Sequence, residues 1–350
     1  MSAVASPEPA VRAKKKLLRR RRPDRSQALR RIVQCLFAAL NVWIGVEFYL
    51  FVRHYETGGT SLYVPRPPGV EGWLPIASLM NLKYWLETGE VPAIHPAGMF
   101  LLVAFLAISW LLRKSFCSWL CPIGALSEAL WRAGRSIFGR NFRLPRWLDF
   151  PLRSVKYVLL GLFLYAIGTM SAPAIRAFME SPYGLIADVK MLNFFRYLSV
   201  TAAVTLGVLA VASVLLQNFW CRYLCPYGAL LGLLSRFSPA YVRREPHLCI
   251  DCAKCAQACP SWLPVDQLVS VRSEECIGCM ACVAACPAEG ALYLSLPRRR
   301  RLPAWALAAG IAAIFFAVVS YARWAGYWRT DLPSQVYFEL IPRAHEFSHP

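Results

Sequence analysis

Apolar residues run along this chain in long blocks separated by short polar and basic stretches, without the half-buried stripes of a water-soluble fold. Five blocks, at about 32–53, 96–113, 155–177, 196–217 and 303–322, approach the roughly 20 residues needed to cross a hydrocarbon layer. Lipid offers backbone groups no hydrogen-bonding partner, so each block is expected to be helical. A further apolar stretch, Trp73 to Leu86, is too short to span. It follows the helix-breaking Gly58-Gly59 and Pro65-Arg66-Pro67-Pro68-Gly69, and reads as a re-entrant or interfacial segment. Residues 1–31, with Lys14-Lys15-Lys16 and Arg19-Arg20-Arg21-Arg22, cannot build a core and read as a mostly disordered basic arm.

The blocks also recur. Two spans lead to Cys117-Ser-Trp-Leu-Cys121-Pro-Ile-Gly-Ala-Leu126, and two more lead to Cys221-Arg-Tyr-Leu-Cys225-Pro-Tyr-Gly-Ala-Leu230. Upstream, Ile76-Ala77-Ser78-Leu79 echoes Ile186-Ala187-Asp188-Val189. A unit with an even number of spans repeats in the same orientation. The two halves are therefore expected to relate by an axis along the membrane normal.

Composition agrees with a membrane chain: 57% of the 350 residues are hydrophobic and the mean hydropathy is +0.40. The net charge of +19 would suggest nucleic-acid binding on a soluble protein. Here the basic residues flank apolar blocks, so they read as topology signals and as attraction to anionic membrane lipid, with no nucleic-acid partner. Segments 1–31, 113–156 and 218–302 hold 30 of the 39 Lys and Arg residues. That asymmetry predicts a bacterial inner-membrane protein with its N-terminus and all its cysteine motifs cytoplasmic and its C-terminus periplasmic.

Twelve of the 13 cysteines fall into four tight motifs. Cys249-x2-Cys252-x2-Cys255-x3-Cys259-Pro260 and Cys276-x2-Cys279-x2-Cys282-x3-Cys286-Pro287 each have the spacing that wraps a cubane. In two-cluster ferredoxins of this spacing the fourth cysteine of each run serves the other cluster. Cys249, Cys252, Cys255 and Cys286 would hold one [4Fe–4S] cluster, and Cys276, Cys279, Cys282 and Cys259 the second. Zinc also uses C-x2-C pairs, but four ligands suffice for it and two complete four-cysteine runs are left unexplained.

The C-x3-C-P pairs are less specific. On a helix, positions i and i+4 share a face, and the following proline would end or kink it. Cys117, Cys121, Cys221 and Cys225 could converge on one metal or third cluster, form a redox disulfide, make separate sites or serve only structure. Cys35, alone in the first span, reads as a small buried hydrophobe. Glu47 in the same span is a candidate quinone or proton group beside a solvated reading. His54 and His95 read as interfacial polar residues at span ends. Trp43, Trp73, Trp85, Trp119, Trp147, Trp220 and Trp305 read as aromatic belts, beside a reading in which Trp119, Trp220 and Tyr223 shield a cluster. No nucleotide-binding fingerprint or hydrolytic triad pattern is present.

The paired C-x3-C-P motifs at span ends, followed by the double ferredoxin run, resemble the membrane polyferredoxins that include NapH-type, NosR and CcoG proteins. Arg66-Pro67-Pro68-Gly69-Val70-Glu71-Gly72 and His95-Pro96 resemble that group too. The resemblance covers about residues 32–300. It implies electron exchange between the quinone pool and a partner redox subunit or respiratory enzyme, with quinone as a further candidate cofactor. The alternative is a redox assembly factor or redox-sensing regulator for such an enzyme.

The expected architecture is an all-α membrane bundle of about five helices with a small α+β ferredoxin domain before the last span. Its parts would be the arm 1–31, a four-span membrane domain 32–245, the two-cluster ferredoxin domain 246–296, a fifth transmembrane helix 297–322 and a periplasmic tail 323–350.

Overall fold

The computed structural model describes residue 20 and residues 24–348. Most of the expected basic arm, with Lys14-Lys15-Lys16, lies outside the described residues, but its last part is not disordered: from Ser26 it is helical, and Arg30 is buried against Glu128.

The first apolar block forms α1 (Ser26–Glu56). A 3-10 turn at Pro68–Trp73 follows, then α2 (Pro75–Thr88), α3 (Pro96–Leu111) and the short α4 (Ser115–Trp119). α5 (Pro122–Phe138) and α6 (Arg146–Thr169) come next. α7 (Ala172–Glu180), α8 (Pro182–Leu185), α9 (Ala187–Arg196) and α10 (Val200–Leu215) complete the second half. A single π turn, Trp220–Leu224, leads into α11 (Pro226–Ser235).

Among the described residues, three helices are long and apolar enough to cross a membrane: α1, α6 and α14 (Ala304–Trp324). The bent pair α9 and α10 makes a fourth if counted as one span. Its axes differ by 81° at the break, where the Ser199 hydroxyl accepts from the Ala202 N–H and starts a new helix. The expected second span is a helix of only 16 residues, α3. It is buried over most of its length, and so depends on protein packing more than on lipid. α2 takes up the apolar stretch expected to be interfacial and packs on α3.

The two halves pack reciprocally. α5, which follows the first C-x3-C-P motif, lies against α10, which precedes the second. α11, which follows the second, lies against α3, which precedes the first. Gly134 of α5 permits the first contact, because a Cβ there would stand 1.9 Å from the Val214 carbonyl. This exchange is what the expected pseudo-two-fold axis requires, and it draws the two motifs toward the middle of the bundle.

The ferredoxin domain carries β1 (Tyr241–Arg244), α12 (Lys254–Gln257), β2 (Ser270–Val271), α13 (Ala281–Ala285), β3 (Leu292–Leu296) and β4 (Arg300–Arg301). The strands form one antiparallel sheet in the order β2-β1-β3-β4. Tyr241–Arg244 therefore belongs to this domain, ahead of the expected boundary at 246. Val242, Leu292 and Leu294 bury one sheet face in a core continuous with Leu101, Phe105, Ile108 and Trp119 of the membrane domain.

At the opposite end, α15 (Ser334–Leu340) folds back onto α1. Tyr337 packs edge-on to Phe51 with ring centroids 5.2 Å apart. Aromatic pairs of this kind contribute about 0.5–1.5 kcal/mol beyond area burial.

Candidate functional site: a thiol-lined cavity under the ferredoxin domain

The two C-x3-C-P motifs are built alike. Cys117 sits in α4, whereas Cys121 is the N-cap of α5, with its Sγ accepting from the Gly124 N–H at 3.4 Å. Cys221 sits in the π turn, whereas Cys225 caps α11, its Sγ accepting from the Gly228 N–H at 3.2 Å. The expectation of one helical face bearing both thiols is therefore corrected. The second cysteine starts a new helix because the following proline is tolerated only in a first turn. Gly124 is required by the fold-back, since a Cβ there would lie 2.2 Å from the Cys117 carbonyl oxygen.

All four of these cysteines line one cavity of about 990 Å³. Burial pushes the Cys117 thiol up to about 11 and the Cys121 thiol up to about 12, against the pull of its helix N-terminus. Cys221 also lies well above its ordinary value, through burial first and then through Cys225, Cys121 and Cys117. The four thiols thus share one low-dielectric space, where thiolates need a compensating cation.

Two buried lysines stand beside them. Lys114 is 3% exposed and lines the cavity. Burial lowers its basicity, but Cys117, Glu275, Cys225 and Cys221 outweigh that and hold it above its ordinary range. Lys156 of α6 is fully buried and pairs with Glu275 at 2.5 Å.

The ferredoxin domain docks onto both motifs. The Ser118 hydroxyl donates to the Ile277 carbonyl at 2.5 Å and the Trp119 indole to the Gly278 carbonyl at 3.2 Å. Gln27 of α1 donates to the Cys279 carbonyl at 2.8 Å. On the second motif, Arg222 donates to the Ser261 carbonyl at 2.9 Å while its Nε and Nη2 bond the Asp149 carboxylate. Arg30 joins α1 to the first motif by donating to Glu128 and to the Ser118 carbonyl. Trp119 is fully buried in this junction, and Tyr223 is buried with its hydroxyl on Asp149. The belt reading of Trp119 is thus overturned, whereas Trp43, Trp147 and Trp305 are exposed as a belt requires.

Within the ferredoxin domain the thiols influence one another across the two runs. Cys286 is raised by burial first, with Cys252 and Cys249 adding to it. Cys255 is raised to about 11 by burial, with Cys286 contributing. Cys279 is pushed up to about 12 by burial, with Cys259 and Cys276 contributing. Cys252 is exposed, whereas Cys259, Cys279 and Cys282 are buried toward the membrane domain. Among the described residues no group of three or more Cys, His, Asp or Glu is drawn together for a single metal ion. A tetrahedral ion needs such convergence at about 2.0–2.3 Å, whereas a cubane holds its thiolates on separate corners.

From the thiols the cavity runs along α1 past Phe37, Asn41 and Ile44 to Glu47, Arg66 and Trp73 at the far end. There Arg66 donates to Asp188 at 2.8 Å, to Glu71 at 2.7 Å and to His95 Nδ1 at 2.9 Å. His95 Nε2 donates to the Gly184 carbonyl at 2.9 Å. His95 is 1% exposed, so it is a buried structural group and not the expected interfacial one. Cys35 differs in the other direction: it is exposed on α1, on the side where Ile32 and Leu36 also face outward. The α1 surface that packs on protein passes instead through Arg30 and Gln34.

An apolar helical bundle with cysteine motifs gathered beneath a ferredoxin domain defines a membrane iron–sulfur electron-transport protein. A model described as a 4Fe–4S binding domain matches residues 94–145 and again 198–244, one match for each half of the repeat. A 4Fe–4S dicluster domain matches residues 241–287. The chain belongs to the membrane polyferredoxin family. It is 49% identical over 326 residues to the candidate electron transport protein YccM of Escherichia coli (strain K12), covering 91% of each chain. It is 24% identical over 243 residues to the ferredoxin-type protein NapH of the same organism, covering 68% of this chain and 76% of NapH. It is 32% identical over 165 residues to the regulatory protein NosR of Stutzerimonas stutzeri, covering 46% of this chain but only 22% of NosR. No solved structure matches the chain.

Proposed function

We propose that the chain passes electrons between a quinone held in the membrane cavity and a redox partner docked at the exposed end of the ferredoxin domain. The observation that carries this reading is the cavity itself. Its walls include the four C-x3-C-P thiols and the apolar side chains of Phe37, Leu40 and Ile44 on α1. Its size fits the upper range of small-molecule sites, about 300–1,000 Å³. Glu47 lines it and is the candidate proton group for such a ligand.

Cys249, Cys252, Cys255 and Cys286 would hold one [4Fe–4S] cluster, and Cys276, Cys279, Cys282 and Cys259 another. Cys117, Cys121, Cys221 and Cys225 would hold a third. Each set is a four-thiol neighbourhood, and iron would supply the positive charge that such buried thiolates need. When bound, the clusters supply one-electron chemistry at potentials set by the surrounding protein. The ferredoxin set that includes Cys259 and Cys279 is the one docked on both membrane motifs, through Ser261, Ile277 and Gly278. The other set exposes Cys252 alone, and that edge offers the partner surface. The lysine and arginine asymmetry supports placing the ferredoxin domain in the cytoplasm and α15 in the periplasm.

The test is anaerobic mixing of purified protein with a short-chain quinol, followed by EPR. Reduction of the cluster signals by quinol, slowed in Glu47→Gln, is the expected result. Clusters that dithionite reduces but no quinol does would overturn the reading.

A further inference from the structure

Lys114 stands out among the buried charges. Arg30 pairs with Glu128, Arg66 with Glu71 and Asp188, Lys156 with Glu275, and Arg222 with Asp149. Lys114 is as buried as these, and the carboxylate that acts on it, Glu275, is already paired with Lys156, so two ammonium groups share one carboxylate beside the thiols. One carboxylate does not balance two buried ammonium groups, so a further negative charge in the cavity would compensate the surplus. Its position is imposed by the fold. Arg113 occupies the left-handed region at φ 66°, its N–H donates to the Ser238 hydroxyl and its guanidinium to the carbonyls of Ser235 and Ser273. That conformation costs a non-glycine residue about 1–2 kcal/mol, and it turns the chain between α3 and α4. Lys114 then projects against α11. A Cβ built on Gly228 would meet Cys225 Sγ at 3.4 Å and Lys114 Nζ at 3.7 Å. A Cβ on Gly232 would meet Lys114 Nζ at 3.3 Å. Small residues on that face of α11 thus leave the ammonium room beside the thiols.

We propose that Lys114 is a positioning residue for charge: its ammonium balances the negative cluster held by Cys117, Cys121, Cys221 and Cys225 and raises that centre's reduction potential. This rests on the reading of those four cysteines as a third cluster site. Adding an electron makes a thiolate-ligated cluster more negative, so a fixed positive charge nearby favours the reduced form. Net charge and solvent exposure are established levers on cluster potential. A site this dry leaves the charge little screened. The ferredoxin sets differ: Cys252 of one meets solvent, and beside the other Arg30, near Cys279, and Arg222, near Cys259, are each paired with a carboxylate, Glu128 and Asp149. Lys114 would make the membrane-face centre the easiest of the three to reduce, as the acceptor nearest a quinol in the cavity needs.

The test compares full-length wild type, Lys114→Met and Lys114→Arg, purified anaerobically, by iron and sulfide content and by redox-titrated EPR. Lys114→Met should keep its iron. At the wild-type midpoint of the membrane-face centre, its reduced-to-oxidised ratio should fall at least about tenfold, which is 59 mV for a one-electron centre. Lys114→Arg should restore the wild-type midpoint, and the two ferredoxin signals should not move. An unchanged midpoint in Lys114→Met, or an equal shift of all signals, would overturn the proposal. If Lys114→Met loses the third centre while Lys114→Arg keeps it at the wild-type potential, the need for charge stands. Loss in both variants would mark Lys114 as merely structural and overturn it. Iron for only two clusters in wild type would show instead that the third-cluster reading itself had failed, and the proposal with it.

Discussion

Gly124 lies where the first turn of α5 crosses the Cys117 carbonyl, and a methyl there would sit 2.2 Å from that oxygen. Gly124→Ala must therefore displace the backbone that sets Cys117 and Cys121 relative to each other. It should cost about 1–3 kcal/mol, as overpacking does, and release the membrane-face iron while the ferredoxin signals remain. The matched Gly228→Ala is the control, because its Cβ would rest at an ordinary 3.4 Å from Cys225 Sγ. Iron content and thermal midpoint in detergent read both variants. The cysteines themselves were legible from spacing alone, because ligand chemistry fixes which thiols lie close in sequence. Lys114 was not. An Arg-Lys pair at the end of an apolar block reads as a topology signal, and only the left-handed turn at Arg113 buries it. Glu71 and His95 sit within recognisable phrases, yet nothing in the sequence pairs residue 66 with residue 188.

At the scale of elements, the far end depends on that pairing. Arg66 bonds Glu71 and Asp188, Thr330 donates to Glu71 at 2.8 Å, and the Gly98 N–H donates to it at 3.0 Å. The knot thus ties the 3-10 turn, α3, α9 and the segment after α14 together. Arg66→Met leaves two buried carboxylates without a cation and should cost about 3–5 kcal/mol. Burial alone would raise Glu71, but Arg66 outweighs it and holds the carboxyl at about 2, below its ordinary 4.5. A depressed carboxyl stabilises the fold fully above its unfolded value, and that contribution fades as pH falls through about 2. Detergent-solubilised wild type should therefore hold its tryptophan fluorescence until pH drops below 4.5. In Glu71→Gln that acid dependence should vanish, with lower stability at neutral pH. Loss of signal beginning well above pH 5 would contradict the pairing. Long spans such as α1 and α14 were legible because lipid solvation demands continuous apolar helix. The 81° break between α9 and α10 was not, since no proline or glycine marks it and the Ser199 cap is seen only in the fold.

At the scale of the whole molecule, the reciprocal packing of the halves and the docked ferredoxin domain make one continuous body. Its apolar core passes from α3 through Trp119 to β1 and β3. The repeat foretold this exchange only as an axis; Gly134 permits the contact between the halves, whereas Ser118 and Arg222 dock the ferredoxin domain on them. Reporter fusions at Gly139 and Pro297 should read cytoplasmic and one at Ser348 periplasmic, because basic residues concentrate on the cluster side. A cytoplasmic Ser348 would require an even number of spans. Twelve cysteines are expected to hold three clusters, one of them between the halves. Iron and acid-labile sulfide in anaerobically purified wild type and Cys121→Ala/Cys225→Ala measure it directly. About twelve irons per chain, falling to about eight in the double variant with both ferredoxin EPR signals intact, is the predicted result. About eight irons in both proteins would contradict it.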